Sequence, residues 1–195
     1  MKFAADIRAE REGFYPVGGA QVTFSIPQSH LHGLQLENLG PITHLGGLSV
    51  ASRLLGVAER QARAAESMLK SLNPMIKNAN VQAQCPGSGI ALFASDGQTV
   101  LGADALGERG KTSELVGKEA ATQLKSLIAA KATVDLHTSD QLLLFMAFAK
   151  GRSTIHVPEI TKHAETNIWL IEQFLGKKFT TEKRGSLTAL HCEGS

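Results

Sequence analysis

Cysteine is scarce in this 195-residue chain: there are two, Cys85 and Cys192, far apart and without a Cys-x-x-Cys pair. That spacing argues against a disulfide scaffold and a structural zinc site, and it fits a reducing compartment. Long apolar runs are missing as well. The longest, Leu142 to Ala149, is too short to span a bilayer, and no signal peptide is visible. Charge of one sign is not in excess either: 20 Lys and Arg against 18 Asp and Glu leave a formal +2, which alone points to no polyanion. A local phosphate-binding groove stays open, because basic residues need not be spread evenly. These absences lead to the expectation of a soluble, cytoplasmic protein with no membrane partner. What is present suffices for a core, with 43% hydrophobic and 19% charged residues and length for one large or two small domains. His30-x-His32 could ligate a metal, but no cysteine or carboxylate partner is close in sequence, so a solvated loop pair is expected.

Taken in order, residues 2–9 and 20–26 read as a strand pair. Phe3, Ala5 and Ile7 form one face, and Ala20, Val22, Phe24 and Ile26 alternate with polar residues as in a half-buried strand. Breakers over 38–47 mark passage into another module. A strand is expected near 42–47, then a helix from Ser49, as cap, to Leu72, with Ala58, Ala62, Ala65 and Leu69 on its apolar face. Asn73-Pro74 ends it. Strands follow near 80–84, 89–95 and 98–105, with Asp96-Gly97 as a hairpin turn, and a helix over Ser113 to Ala130. The order is β-α-β-β-β-α, a sheet covered by helices. Beyond Ala132, Val134 is placed in a short strand. Thr138-Ser139-Asp140-Gln141 reads as a capping box before a deeply buried helix 142–149. A strand at 153–157, a helix at 162–175 and strands near 177–183 and 186–192 complete a β-α-β-α-β-β order. The fold class is α+β. One module comprises residues 1–37 and 131–195, and the other residues 38–130.

The helix at 162–175 carries the residue of most chemical interest. Thr161 is its expected N-cap and Gly176 its left-handed C-terminal stop. His163 then falls in the first turn, where orphan amides and the macrodipole favour anions and disfavour an imidazolium. A neutral imidazole facing an anion-binding helix end is a starting state for attack on phosphorus. The plain alternative is a surface helix residue.

His163-Ala164-Glu165-Thr166-Asn167-Ile168 resembles the His-x-x-Thr-Asn segment of the RNA 3'-terminal phosphate cyclases. Further segments resemble that family in its order. Gly13-Phe14-Tyr15-Pro16-Val17-Gly18-Gly19-Ala20 is similar to the glycine-rich signature, with Glu12 where Arg or His is usual and Ala20 in place of the last glycine. For Gly18 and Gly19 a structural turn is favoured over a phosphate nest. Leu106-Gly107-Glu108-Arg109-Gly110 resembles the exit from the family's inserted domain. His137-Thr138-Ser139-Asp140-Gln141 resembles the segment that holds the adenylate.

The resemblance implies a final β-α-β-α-β-β repeat unit plus an inserted β-α-β-β-β-α domain, with earlier repeats absent. It implies that His163 is adenylated by ATP, that residues 137–141 bind the nucleotide, and that an RNA 3'-phosphate becomes a 2',3'-cyclic phosphate. A divalent metal, with magnesium expected, would neutralise the phosphates. Its ligands and the RNA-phosphate contacts are expected in the absent repeats. An apolar surface near the N-terminal strands should then be exposed. Two other readings stand beside this one: a non-catalytic cyclase-like RNA-binding or ribosome-biogenesis protein, and an inactive fragment.

Overall fold

In chain order the elements are β1 (Asp6–Arg11), β2 (Gln21–Ser25), β3 (Gln35–Leu36), β4 (His44–Ser52), α1 (Val57–Leu69), β5 (Met75–Val81), β6 (Gly87–Ser95), β7 (Val100–Leu106), α2 (Ser113–Ala130), α3 (Leu136–Phe148), β8 (Arg152–Val157), α4 (Lys162–Leu175), β9 (Phe179–Arg184) and β10 (Leu187–Glu193). They come from a computed structural model that describes residues 5–195; Phe3, assigned above to the first strand, lies outside the described residues. The chain is mixed α+β.

β4 is the centre of the first sheet, whose order is β5-β4-β6-β7. It pairs with β5 in parallel and with β6 antiparallel along nearly its whole length. This corrects the expected strand at 42–47 and helix from Ser49. Ser49 is no cap: fully buried in β4, it donates to Gln61 Oε1 at 2.9 Å, and Gln61 Nε2 donates to Ser88 Oγ at 3.0 Å. The stretch Leu48-Ser49-Val50-Ala51 carries no usual strand period, because the residue on the open face is the apolar Leu48, 47% exposed, while the polar Ser49 is the one buried. Gly47 is required there, because a Cβ would strike the Ala91 carbonyl of β6. Likewise β5 begins at Met75 rather than near 80, once Asn73 in the left-handed region has turned the chain.

α1 and α2 lie over this sheet. Ala58, Ala62, Ala64 and Ala65 of α1 are buried, as are Val116, Ala120, Ala121 and Leu124 of α2. Leu54 and Leu55, inside the helix expected from Ser49, are exposed because they precede α1. The two helices approach so closely that a Cβ on Gly117 would meet the Gln61 carbonyl oxygen.

Asp96 fixes the β6–β7 turn. Its Oδ1 accepts the amides of Thr99 at 2.7 Å and Gln98 at 2.9 Å, and its Oδ2 accepts that of Gly40 at 2.7 Å. The Thr99 amide above all holds this carboxyl below the usual carboxylate range, aided by Gln98 and Gly40. A depressed folded-state value stabilises the fold above the unfolded carboxyl's titration, near about pH 3.9, and is lost as pH falls through the folded value. Asp96→Asn should therefore lower the denaturation midpoint at pH 7. The wild-type advantage should fade on titration below about pH 4. A difference unchanged between pH 7 and pH 3 would show that the carboxylate charge is irrelevant.

The second large sheet runs β3-β8-β10-β9. α3 and α4 share a core with it that includes Leu143, Met146, Ile155, Val157, Ile171 and Leu190. Val134 joins this core but lies outside any strand. The adjoining Thr133 holds position beside β8 by donating its amide to the His156 carbonyl, at 2.9 Å, and accepting the His156 amide at its hydroxyl, at 2.8 Å. α3 starts six residues earlier than expected. It is not deeply buried throughout, since Leu144, Phe145 and Phe148 are exposed. Cys192 is buried here, and burial pushes its thiol up, away from the reactive thiolate.

β1 and β2 form a separate two-stranded sheet. Every residue of both strands is exposed, including Ile7 and Phe24 at 62% each, which corrects the half-buried reading. The exposed apolar surface expected near these strands is present. Between them Gly18 and Gly19 take positive φ, and the Gly18 amide donates to the Phe14 carbonyl at 2.7 Å, a structural turn.

Candidate functional site at the mouth of α4

α4 begins as its cap chemistry dictates. The Thr161 hydroxyl accepts the Ala164 amide at 2.9 Å, and the Thr161 carbonyl accepts that of Glu165 at 2.9 Å. The amides of Lys162 and His163 have no intrahelical acceptor and face outward. His163 is exposed, with Lys162 beside it and Glu165 in the same turn. Gly176, at φ 65°, ends the helix, and its amide returns to the Glu172 carbonyl at 3.1 Å. The apolar residues of α4 are partly engaged: Ile171 is buried and Ile168 packs on the core, whereas Phe174 is 82% exposed.

The other nominated residues lie on α3, which packs against α4. The helix is capped not at Thr138 but at Asp135, whose Oδ1 accepts the Thr138 amide at 2.8 Å. Asp135 Oδ2 accepts the Thr138 hydroxyl at 2.9 Å and the Gly102 amide of β7 at 3.1 Å. The N-cap is therefore three residues upstream of the expected one, and Asp135 is a residue the sequence reading missed. Its signal was an acceptor three residues before Thr138, at a place read as strand.

The shift assigns different surroundings to each residue. Ser139 is buried and its hydroxyl donates to the Leu136 carbonyl at 2.7 Å. Thr138 is exposed but tied to Asp135, and His137 and Gln141 are exposed on the first turns. Asp140 reaches across: its Oδ1 accepts the Thr161 hydroxyl at 2.8 Å. One hydroxyl thus both caps α4 and ties Asp140 to the helix mouth that carries His163. The α3 start and the α4 start are brought together, with an imidazole, a carboxylate and outward amides around them. Among the described residues, no group of three or more His, Cys, Asp or Glu side chains could hold a metal ion. No helix is long and apolar enough to cross a membrane.

Such a mixed α+β chain sets a histidine and a carboxylate at neighbouring helix starts. The sequence profile described as RNA 3'-terminal phosphate cyclase matches residues 1–181. The chain belongs to the RNA 3'-terminal phosphate cyclase family. The protein of that name from Pyrobaculum aerophilum is 40% identical, over 99% of this chain and 58% of its own length. That from Thermococcus gammatolerans is 40% identical over 93% of this chain and 54% of its own length. The one from Pyrococcus furiosus is 43% identical over 89% and 52%. The chain spans a little over half the length of these curated relatives.

Proposed function

We propose that this chain supplies the adenylate-accepting portion of an RNA 3'-terminal phosphate cyclase. The observation that carries the reading is the Thr161 hydroxyl, which joins Asp140 to the helix mouth of His163. On this reading a ring nitrogen of His163 attacks the α-phosphorus of ATP, forming a P–N bond and releasing pyrophosphate. The outward α4 amides and the positive helix end hold the phosphoryl oxygens. An RNA 3'-phosphate oxygen then takes the AMP from His163, breaking the P–N bond. The adjacent 2'-hydroxyl attacks that 3'-phosphorus, loses its proton and expels AMP, which leaves a 2',3'-cyclic phosphate. His137 would stack on adenine, while Asp140 and Gln141 would hydrogen-bond the nucleotide. Thr138 and Ser139 would shape the turn that presents them. The described residues hold no donor set for the expected divalent metal, so no step is routed through one.

The same proposal includes residues 1–37 with 131–195 as one module and 38–130 as an inserted one, and a cytoplasmic location for the protein. Relatives named as cyclases give no support to the non-catalytic alternative. The test is a cyclisation assay on an RNA ending in 3'-phosphate. It uses this chain alone and this chain preceded by the N-terminal part of the Pyrobaculum aerophilum relative. The expected product is an RNA end that resists phosphatase and forms only with ATP. An end that stays phosphatase-sensitive with both proteins would refute the proposal.

A further inference from the structure

A cleft of about 1230 Å³ lies at the other end of α2 from α3 and α4, walled by residues that the steps above do not use. Its walls come from the Phe14-Tyr15-Pro16 turn, the start of α1, and the passage from Leu106 into α2. Two of these stretches are family-like segments with no role at His163. The cleft lies at the start of the 18-residue α2, and α3 begins six residues after the end of α2.

Four features bear on its occupant. The Tyr15 ring is 93% exposed, yet its turn is fixed from beneath, because the Cys85 thiol donates to the Phe14 carbonyl at 3.1 Å. The N-termini of α1 and α2 both open into the cleft, and α1 is preceded by Gly56, which has no side chain to cap its amides. Ser113, the first residue of α2, is 7% exposed and lines the cleft, and its hydroxyl has no hydrogen bond among the described residues. Arg109 also lines it and makes no ion pair among the described residues, whereas Arg60 stands 3.6 Å from Glu114 and Lys111 pairs with Glu119.

Helix N-termini with a free hydroxyl and an unpaired guanidinium are built for a phosphate. An open aromatic ring beside them is a platform for an unstacked base. Glu108 and Glu114 on the same walls oppose a diffuse polyanion and confine the favourable potential to the α2 start. We propose that this cleft binds single-stranded RNA, with a phosphate at the α2 N-terminus and a base on Tyr15. The inference rests on the cyclase reading for the class of polymer. Its place at the start of α2, away from His163, assigns the cleft a nucleotide upstream of the reacting end. Duplex RNA, whose bases are stacked away, should bind more weakly.

The experiment measures fluorescence anisotropy of a labelled ten-nucleotide RNA ending in 3'-hydroxyl, which cannot be cyclised. Tyr15→Ala and Ser113→Asp should each weaken binding at least tenfold. Tyr15 is 93% exposed, so Tyr15→Ala separates lost binding from lost fold, and the denaturation midpoint of Ser113→Asp is read beside its anisotropy because Ser113 is buried. Arg109→Gln should lower the salt slope by about one. A 5-iodouridine in the RNA should crosslink to Tyr15. Three variants that bind like wild type, or crosslinks confined to α3 and α4, would overturn the proposal. So would full displacement of the RNA by millimolar inorganic phosphate, the result for an anion site alone. Because the probe has no 3'-phosphate, loss of cyclisation with cleft binding intact refutes only the cyclase reading. The reverse refutes only the cleft.

Discussion

His163→Asn abolishes covalent labelling by ATP: α-labelled ATP leaves acid-labile AMP on the wild-type protein joined to the relative's N-terminal part, and none on the variant. Removal of a catalytic nucleophile lowers rates by about 10³-fold or more, far below the detection limit of such labelling. The expectation follows from lone pairs. An imidazole presents an unprotonated ring nitrogen in its neutral form, and the asparagine amide nitrogen presents none. Asparagine also keeps polarity and approximate size at an exposed position, so the fold is undisturbed. Lysine is no conservative replacement there, because an exposed ammonium stays protonated and has no second ring nitrogen to orient it. Equal labelling of wild type and His163→Asn would remove His163 from the chemistry and leave it a surface helix residue.

Asp135→Ala is the substitution expected to damage the fold most for its size. It removes an N-cap, worth about 1 kcal/mol, from α3. It also strands the Gly102 amide and the Thr138 hydroxyl, and an unsatisfied buried donor costs about 1–3 kcal/mol. Together the loss should be about 2–4 kcal/mol, since Thr138 is exposed and water can replace its partner. Guanidinium denaturation read by far-UV circular dichroism measures it. Asp135→Asn keeps a capping oxygen and should lose about half as much or less. Asp135 also joins α3 to β7 of the other sheet, so both cores should loosen in the alanine variant. A loss below about 0.5 kcal/mol, the range of ordinary surface substitutions, would mean that the Gly102 contact contributes nothing.

Local chemistry was legible in the residues. Thr161 and Gly176 bound α4 where their cap properties put them, and Asp96-Gly97 turned the β6–β7 hairpin as such pairs do. Failures came where distant pairing decides. β4 draws its conformation from β5 and β6 on either side, and its Gly46-Gly47 start resembles a linker when read alone. The α3 cap was missed because Asp135 sits beside Val134, a strand-favouring residue that the core holds in irregular backbone. At the site, the position of His163 in a first turn could be read directly. The Asp140–Thr161 bond could not, because it spans 21 residues through the packing of α3 on α4.

The close approach of α1 and α2 at Gly117 has a thermodynamic corollary. Their shared surface consists largely of alanine and glycine, which have almost no rotamer freedom to lose on folding. Ordering this helix pair therefore demands little side-chain entropy, and its attraction comes from backbone-distance dispersion rather than from large apolar groups. Mutational tolerance is one-sided as a result. Shortening a side chain here removes at most a methyl group, while any lengthening must push two helices and the sheet beneath them apart.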